Sequence, residues 1–126
     1  MTEVQREFLE RCCELADGVA LGEGAFAPGP ALWVGTREVA HFDDEHTLDV
    51  RLTKPEIQRR RQELETDARV SLRRNPSDWL EITIESDEDL VWATGMILAA
   101  VASNRSTARP GLPPTAADLE RRRRFH

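Results

Sequence analysis

The 126-residue chain has the length of one domain, and with 40% hydrophobic and 32% charged residues it is neither a disordered polyelectrolyte nor a membrane-embedded protein. Its net charge of −6 is uneven: residues 1–50 hold three arginines against eleven acids, and residues 51–126 hold fourteen Lys or Arg against twelve. That balance excludes the dominant basic field of a general nucleic-acid binder and leaves room only for local basic patches.

Val4, Phe8, Cys12 and Leu15 recur at helical spacing between charged positions, which predicts an amphipathic helix over residues 2–16 with those four side chains buried. Cys12 and Cys13 are read as reduced thiols, because adjacent cysteines rarely meet disulfide geometry and two thiols cannot complete a four-ligand zinc site. Asp17-Gly18 ends the helix, and the glycines and prolines of residues 19–30 predict a loop with a short extended piece around Ala25–Ala27. Gly18, Gly22, Gly24 and Gly29 open no helix bearing a Lys-Ser/Thr pair, so no nucleotide cofactor is expected.

Residues 31–36, 37–42 and 46–52 read as three strands, the last two joined by the acidic turn Asp43-Asp44-Glu45. In the third, Leu48, Val50 and Leu52 point one way and Thr47, Asp49 and Arg51 the other, since strand side chains switch faces at every residue. Thr53-Lys54-Pro55-Glu56 is a helix start in which Thr53 caps and Glu56 returns the capping bond, and the helix is expected to run to about Thr66. Val70 and Leu72 then alternate with Arg69, Ser71 and Arg73. The Asn75-Pro76-Ser77-Asp78 turn follows, and Leu80, Ile82 and Ile84 alternate with Trp79, Glu81 and Thr83, completing a hairpin. Ser86-Asp87-Glu88-Asp89 caps the core helix, whose acids sit where the macrodipole favours them.

The longest apolar run, within Met96–Ala102, is far short of the roughly 20 residues that cross a bilayer, and the charged N-terminus is unlike a signal peptide, so a cytoplasmic protein without membrane contact is expected. Residues 1–104 read as a single α+β domain built on a mostly antiparallel sheet of about five strands with helices on one face. Residues 105–126 read as a loose Pro-rich segment with an Arg-rich C-terminal tail.

Helices on one face leave the other to Asp49, Arg51, Arg69, Ser71, Arg73, Trp79, Glu81 and Thr83, joined by His41. This predicts an open, charged face with one aromatic, which is either simply solvated or a surface for a protein partner, self-association or a small ligand. Arg51, Arg73, Trp79 and Glu81 are the candidate binding residues. His41 can pair with Asp49 across the hairpin, which makes these two the candidate acid/base residues of a small enzyme, with substrate held beside Arg51. His41, Asp43, Asp44, Glu45 and His46 have metal-ligand chemistry, but ligands so close in one turn seldom converge, and no metal site is expected from them. Arg105, Arg109 and Arg121–Arg124 could neutralise phosphates, the basis of a nucleic-acid alternative.

Four stretches carry a resemblance: Glu38-Val39-Ala40-His41, Leu48-Asp49-Val50, Asn75-Pro76-Ser77-Asp78-Trp79 and Ser86–Leu90. Together they resemble the luciferase-like domain family over about residues 37–103, whose proteins show a Glu-x-x-His strand, a Leu-Asp strand, a Pro-x-x-Trp hairpin and an acidic-capped last helix. The resemblance places His41, Asp49 and Trp79 on recurrent family positions and implies neither light emission nor a flavin. Asp43-Asp44 stands where the family has a His-x-His-Gly turn.

Overall fold

A computed structural model describes the backbone of residues 1–124 and the side chains of residues 1–121; the side chains of Arg122–Arg124, expected as part of the basic tail, lie outside the described residues. The fold is α+β, with a six-stranded antiparallel sheet in the order β1-β2-β3-β4-β6-β5. The strands are β1 (Val19–Glu23), β2 (Pro30–Val34), β3 (Arg37–Phe42), β4 (Thr47–Arg51), β5 (Val70–Leu72) and β6 (Trp79–Thr83). The helices are α1 (Glu3–Leu15), α2 (Lys54–Arg59), α3 (Arg61–Thr66), α4 (Asp87–Arg105) and α5 (Ala116–Arg124). Among the described residues no helix is long and apolar enough to cross a membrane.

One face of the sheet carries the main core. Leu32, Ala40, Leu48, Val50, Leu80 and Ile82 are fully buried there and pack with Leu9 of α1 and Ala93, Ile97 and Ala100 of α4. Phe8 meets Phe42 edge to face at 6.0 Å. Burial of these side chains removes apolar surface from water at about 25 cal/mol per Å2, which is what holds the helices to the sheet.

Several local expectations are corrected. The buried stripe of α1 is Gln5, Phe8, Leu9 and Cys12, leaving Val4 at 57% and Leu15 at 54% exposure. Gln5 takes the inward position because its polar atoms are satisfied: the side chain closes a capping box with Thr2 and donates to the Asp44 carbonyl at 2.7 Å. Residues 19–23, expected as loop, are the edge strand β1, paired from Val19↔Val34 to Glu23↔Pro30. Gly22 is there for space, since a Cβ would stand 2.8 Å from Pro113 Cβ and 3.1 Å from Trp33 Cδ1.

The helix expected over residues 54–66 breaks at Arg60 into α2 and α3. Thr53 makes no side-chain cap; Asp78 replaces it from the turn before β6, accepting from Thr53 N through its carbonyl and from Lys54 N through Oδ1, both at 2.9 Å. Glu56, instead of returning a capping bond, pairs with Arg59 and Arg60.

The C-terminal segment, expected to be loose, folds back. Thr36 N donates to the Arg109 carbonyl at 3.2 Å, Pro113 reaches Gly22, and Leu119 of α5 is only 4% exposed.

Candidate functional site

The face of the sheet opposite α1 and α4 is not open at its centre. A β-bulge explains part of this. Leu32 pairs with Ala40 and Trp33 with Glu38, so Val39 is an extra residue in β3. The bulge turns Glu38 onto the same face as His41, although three residues separate them and plain alternation would set them on opposite sides. His41 is opposite Asp49 in register, and Asp49 opposite Glu81. Glu38, His41 and Asp49 are all buried, the last two at 4% exposure.

The roof is the β1–β2 loop. Gly24 N donates to the Gly29 carbonyl at 2.8 Å, which closes the loop, and Ala25 N donates to Glu38 Oε1 at 2.8 Å, which ties it to the sheet. Phe26 thereby stands edge-on to Trp79 at 5.3 Å between ring centroids. The Arg51 guanidinium lies 4.8 Å from the Trp79 ring centroid and 5.2 Å from that of Phe26, within cation–π range of both.

His41 sits among three carboxylates. Its Nε2 is 3.1 Å from Asp49 Oδ2 and 3.2 Å from Asp43 Oδ1, while Nδ1 is 3.3 Å from Glu38 Oε2 but outside hydrogen-bond geometry. Asp43 is aimed by its turn: Asp44 Oδ1 accepts from His46 N and Thr47 N, each at 2.8 Å, and Asp43 N donates to the Thr47 carbonyl at 2.9 Å. Asp44, Glu45 and His46 themselves stay outside the cluster.

These neighbours set the protonation states. Burial disfavours the His41 imidazolium, but the hydrogen bond to Asp49, the contact with Glu38 and the charges of both outweigh it and raise the pKa from 6.5 to about 9. Burial raises the Asp49 carboxyl, yet hydrogen bonds with His41 and Asp43 dominate and hold it below its ordinary value. Asp43, desolvated and sharing a hydrogen bond with the Asp49 carboxylate, rises from 3.8 to about 6. A His41 that holds its proton up to about pH 9 is a poor general base at neutral pH, which counts against the acid/base role expected for the His41–Asp49 pair.

Two cavities adjoin this centre. A pocket of about 290 Å3 is lined by Phe26, His41, Asp43, Asp49, Arg73 and Trp79. A groove of about 370 Å3 shares Arg73 and Trp79 with it and adds Lys54, Arg61 and Arg74. Lys54, Arg73 and Arg74 have no ion pair among the described residues, while Arg61 is held by Glu65.

Of the expected binding residues, Arg73 is exposed on the rim that both cavities share, and Trp79 forms part of the wall of each. Arg51 lies behind, half-buried against the two aromatic rings, with its Nε unpartnered. Glu81 shares the face with Asp49 but lines neither cavity. Among the basic side chains read as a nucleic-acid patch, Arg105 donates to the Asp17 carbonyl and Arg121 pairs with Asp118. Sequence reading has Glu38 only as the first residue of a Glu-x-x-His strand and not on the His41 face, because a bulge has no clear sequence signature, and it misses Phe26, which sits among glycines and prolines. Asp43 reads in the sequence as one of the turn acids, whereas the structure sets it with His41 and Asp49 and apart from Asp44 and Glu45.

Comparison of the chain with protein-family models, with curated proteins and with solved structures finds no match.

Proposed function

We propose that the protein is a binding module for a small anionic molecule, a carboxylate or a phosphate, seated in the groove between α2 and the β5–β6 turn. The observation that carries this reading is that Arg73, Lys54 and Arg74 line a concave surface beside the Trp79 indole without ion pairs of their own among the described residues. Surface cations without partners are common, but three around one groove with an aromatic wall provide both charge-assisted hydrogen bonds and an apolar contact.

A narrow ligand class follows from size. Cavities of about 290 and 370 Å3 suit a metabolite-sized molecule and not a protein segment or a nucleic-acid strand. The expected open sheet face for self-association is replaced in this reading by a covered one.

The test is a titration of 15N-labelled protein with inorganic phosphate, a phosphomonoester and a dicarboxylate, followed at the three tryptophan indole signals. At least one anion is expected to shift Trp79 while leaving Trp92 in place, and Arg73→Ala to weaken it about tenfold or more, the loss of one charge-assisted bond of about 1.5–3 kcal/mol. Failure of all three anions to move Trp79, or shifts indifferent to Arg73→Ala, refutes the reading.

A further inference from the structure

The pocket beside the groove contains a donor set that anion binding leaves unused. His41 Nε2, one Asp43 oxygen and one Asp49 oxygen all lie within 4.8 Å of one another. Two of the separations, 3.1 Å and 3.2 Å from Nε2 to the carboxylates, are the informative ones. Ligand atoms bonded at about 2.1 Å to one ion stand about 3.0 Å apart on adjacent octahedral positions and about 3.4 Å apart on tetrahedral ones. Both separations from His41 already fall in that range, and the three groups come from the end of β3, the turn and the middle of β4, which the hairpin hydrogen bonds hold in fixed register.

Two further observations point to an ion and not to a hydrogen-bonded cluster alone. Asp49 is 4% exposed, lines the pocket, and its Oδ1 has no hydrogen-bond partner; Arg73 on the pocket wall acts on it through its charge but makes no ion pair with it, and a buried carboxylate oxygen so placed is costly. Glu38, fully buried, stands behind the imidazole with Oε2 at 3.3 Å from Nδ1. A histidine that ligates through one ring nitrogen usually presents the other N–H to a carboxylate, which fixes tautomer and ring orientation. Only the bulge at Val39 puts Glu38 there, and Ala25 N holds its other oxygen at 2.8 Å.

The geometry points to a divalent transition-metal site in which His41 Nε2, Asp43 and Asp49 are the ligands and Glu38 is the positioning residue. One imidazole and two carboxylates without a thiolate suit Mn2+, Fe2+ or Zn2+ better than Cu+, and the imidazole sets the site apart from the all-oxygen shells of Mg2+ and Ca2+. Three protein ligands leave coordination positions facing the pocket of about 290 Å3, where Arg73 forms part of the wall. The site stands independently of anion binding, since none of its ligands is Lys54, Arg73 or Arg74.

The experiment is calorimetric titration of the chelator-treated full chain with MnCl2 and ZnCl2 in a non-coordinating buffer, with Co2+ absorption as a spectroscopic reporter. One ion per chain is expected, with affinity reduced about tenfold or more by Asp43→Asn and by Asp49→Asn and unchanged by Glu45→Gln in the same turn. Glu38→Gln is expected to weaken the metal about 10- to 100-fold and to shift the visible Co2+ bands, a change that a purely structural role would not produce. If Asp49→Asn does not fold, Asp43→Asn, at a position 39% exposed, still decides the matter. The absence of saturable binding below about 1 mM, or an affinity indifferent to Asp43→Asn, overturns the site. Such a failure leaves the phosphate-induced movement of Trp79 untouched, and a failed phosphate titration leaves the metal titration untouched.

Discussion

Raising the pH of metal-free protein from 6.5 to 9 is expected to destabilise it through one side chain. His41 has a folded-state pKa of about 9 against an ordinary value of 6.5. A group whose pKa rises on folding stabilises the fold while it is protonated. Its contribution is therefore complete below pH 6.5 and disappears as pH rises through about 9. The shift corresponds to about 3 kcal/mol in full, a large part of the 5–15 kcal/mol that typically holds a domain together. Asp43 titrates near 6, below this window, and the buried Cys12 thiol, raised from 9.0 to about 12, begins to contribute only at its upper edge. The assay is urea unfolding at several pH values in this range, at constant ionic strength and in the presence of EDTA. Wild type should lose about 2–3 kcal/mol across the range, and His41→Gln, whatever its own stability, should give a nearly flat profile. A flat wild-type profile, or an equal slope in both proteins, refutes the buried imidazolium.

Other predictions concern the supports of the site. Asn104, fully buried, donates through Nδ2 to the carbonyls of Arg51 and Ala100 and accepts from Arg37 Nε, so Asn104→Ala should cost about 2–3 kcal/mol in chemical denaturation by leaving buried partners unmatched. A cost below about 0.5 kcal/mol would show that those bonds are not formed. A Cβ at Gly24 would stand 2.3 Å from the Ala27 carbonyl oxygen, so Gly24→Ala should open the β1–β2 loop, separate Phe26 from Trp79 and shift tryptophan emission to the red. An unchanged emission spectrum would mean that the loop does not roof the pocket. Burial pushes the Cys12 thiol up to about 12, so at pH 8 an aromatic disulfide reagent should label no more than Cys13 in folded protein and both cysteines in urea. Rapid labelling of two thiols without denaturant would contradict the packing of α1.

What the sequence revealed and what it hid divide along physical lines. Alternation identifies which residues share a face, and Leu48 with Val50 against Asp49, or Leu80 with Ile82 against Trp79 and Glu81, follow it in the structure. Alternation says nothing about what lies on top of a face. The expected wet side of β4 is dry at Asp49 because a glycine-rich loop brings Phe26 over it and Val39 bulges, placing Glu38 beside His41. The same glycines that read as a loop include Gly22 within β1, where the absence of a side chain lets Pro113 and the Trp33 indole approach. The pairing of His41 with Asp49 was legible, because a short hairpin fixes register. The third and fourth members of the cluster were not, since Asp43 and Glu38 are aimed by a turn and a bulge whose geometry depends on tertiary contacts.

The most direct test of the covered, metal-ready face is a crystal structure of Mn2+-soaked protein with diffraction collected at the manganese edge. One strong anomalous peak is expected among His41 Nε2, Asp43 and Asp49, with Glu38 at hydrogen-bond distance from His41 Nδ1. A map without a peak at that position, or with manganese bound elsewhere and these side chains pointing into bulk solvent, contradicts it.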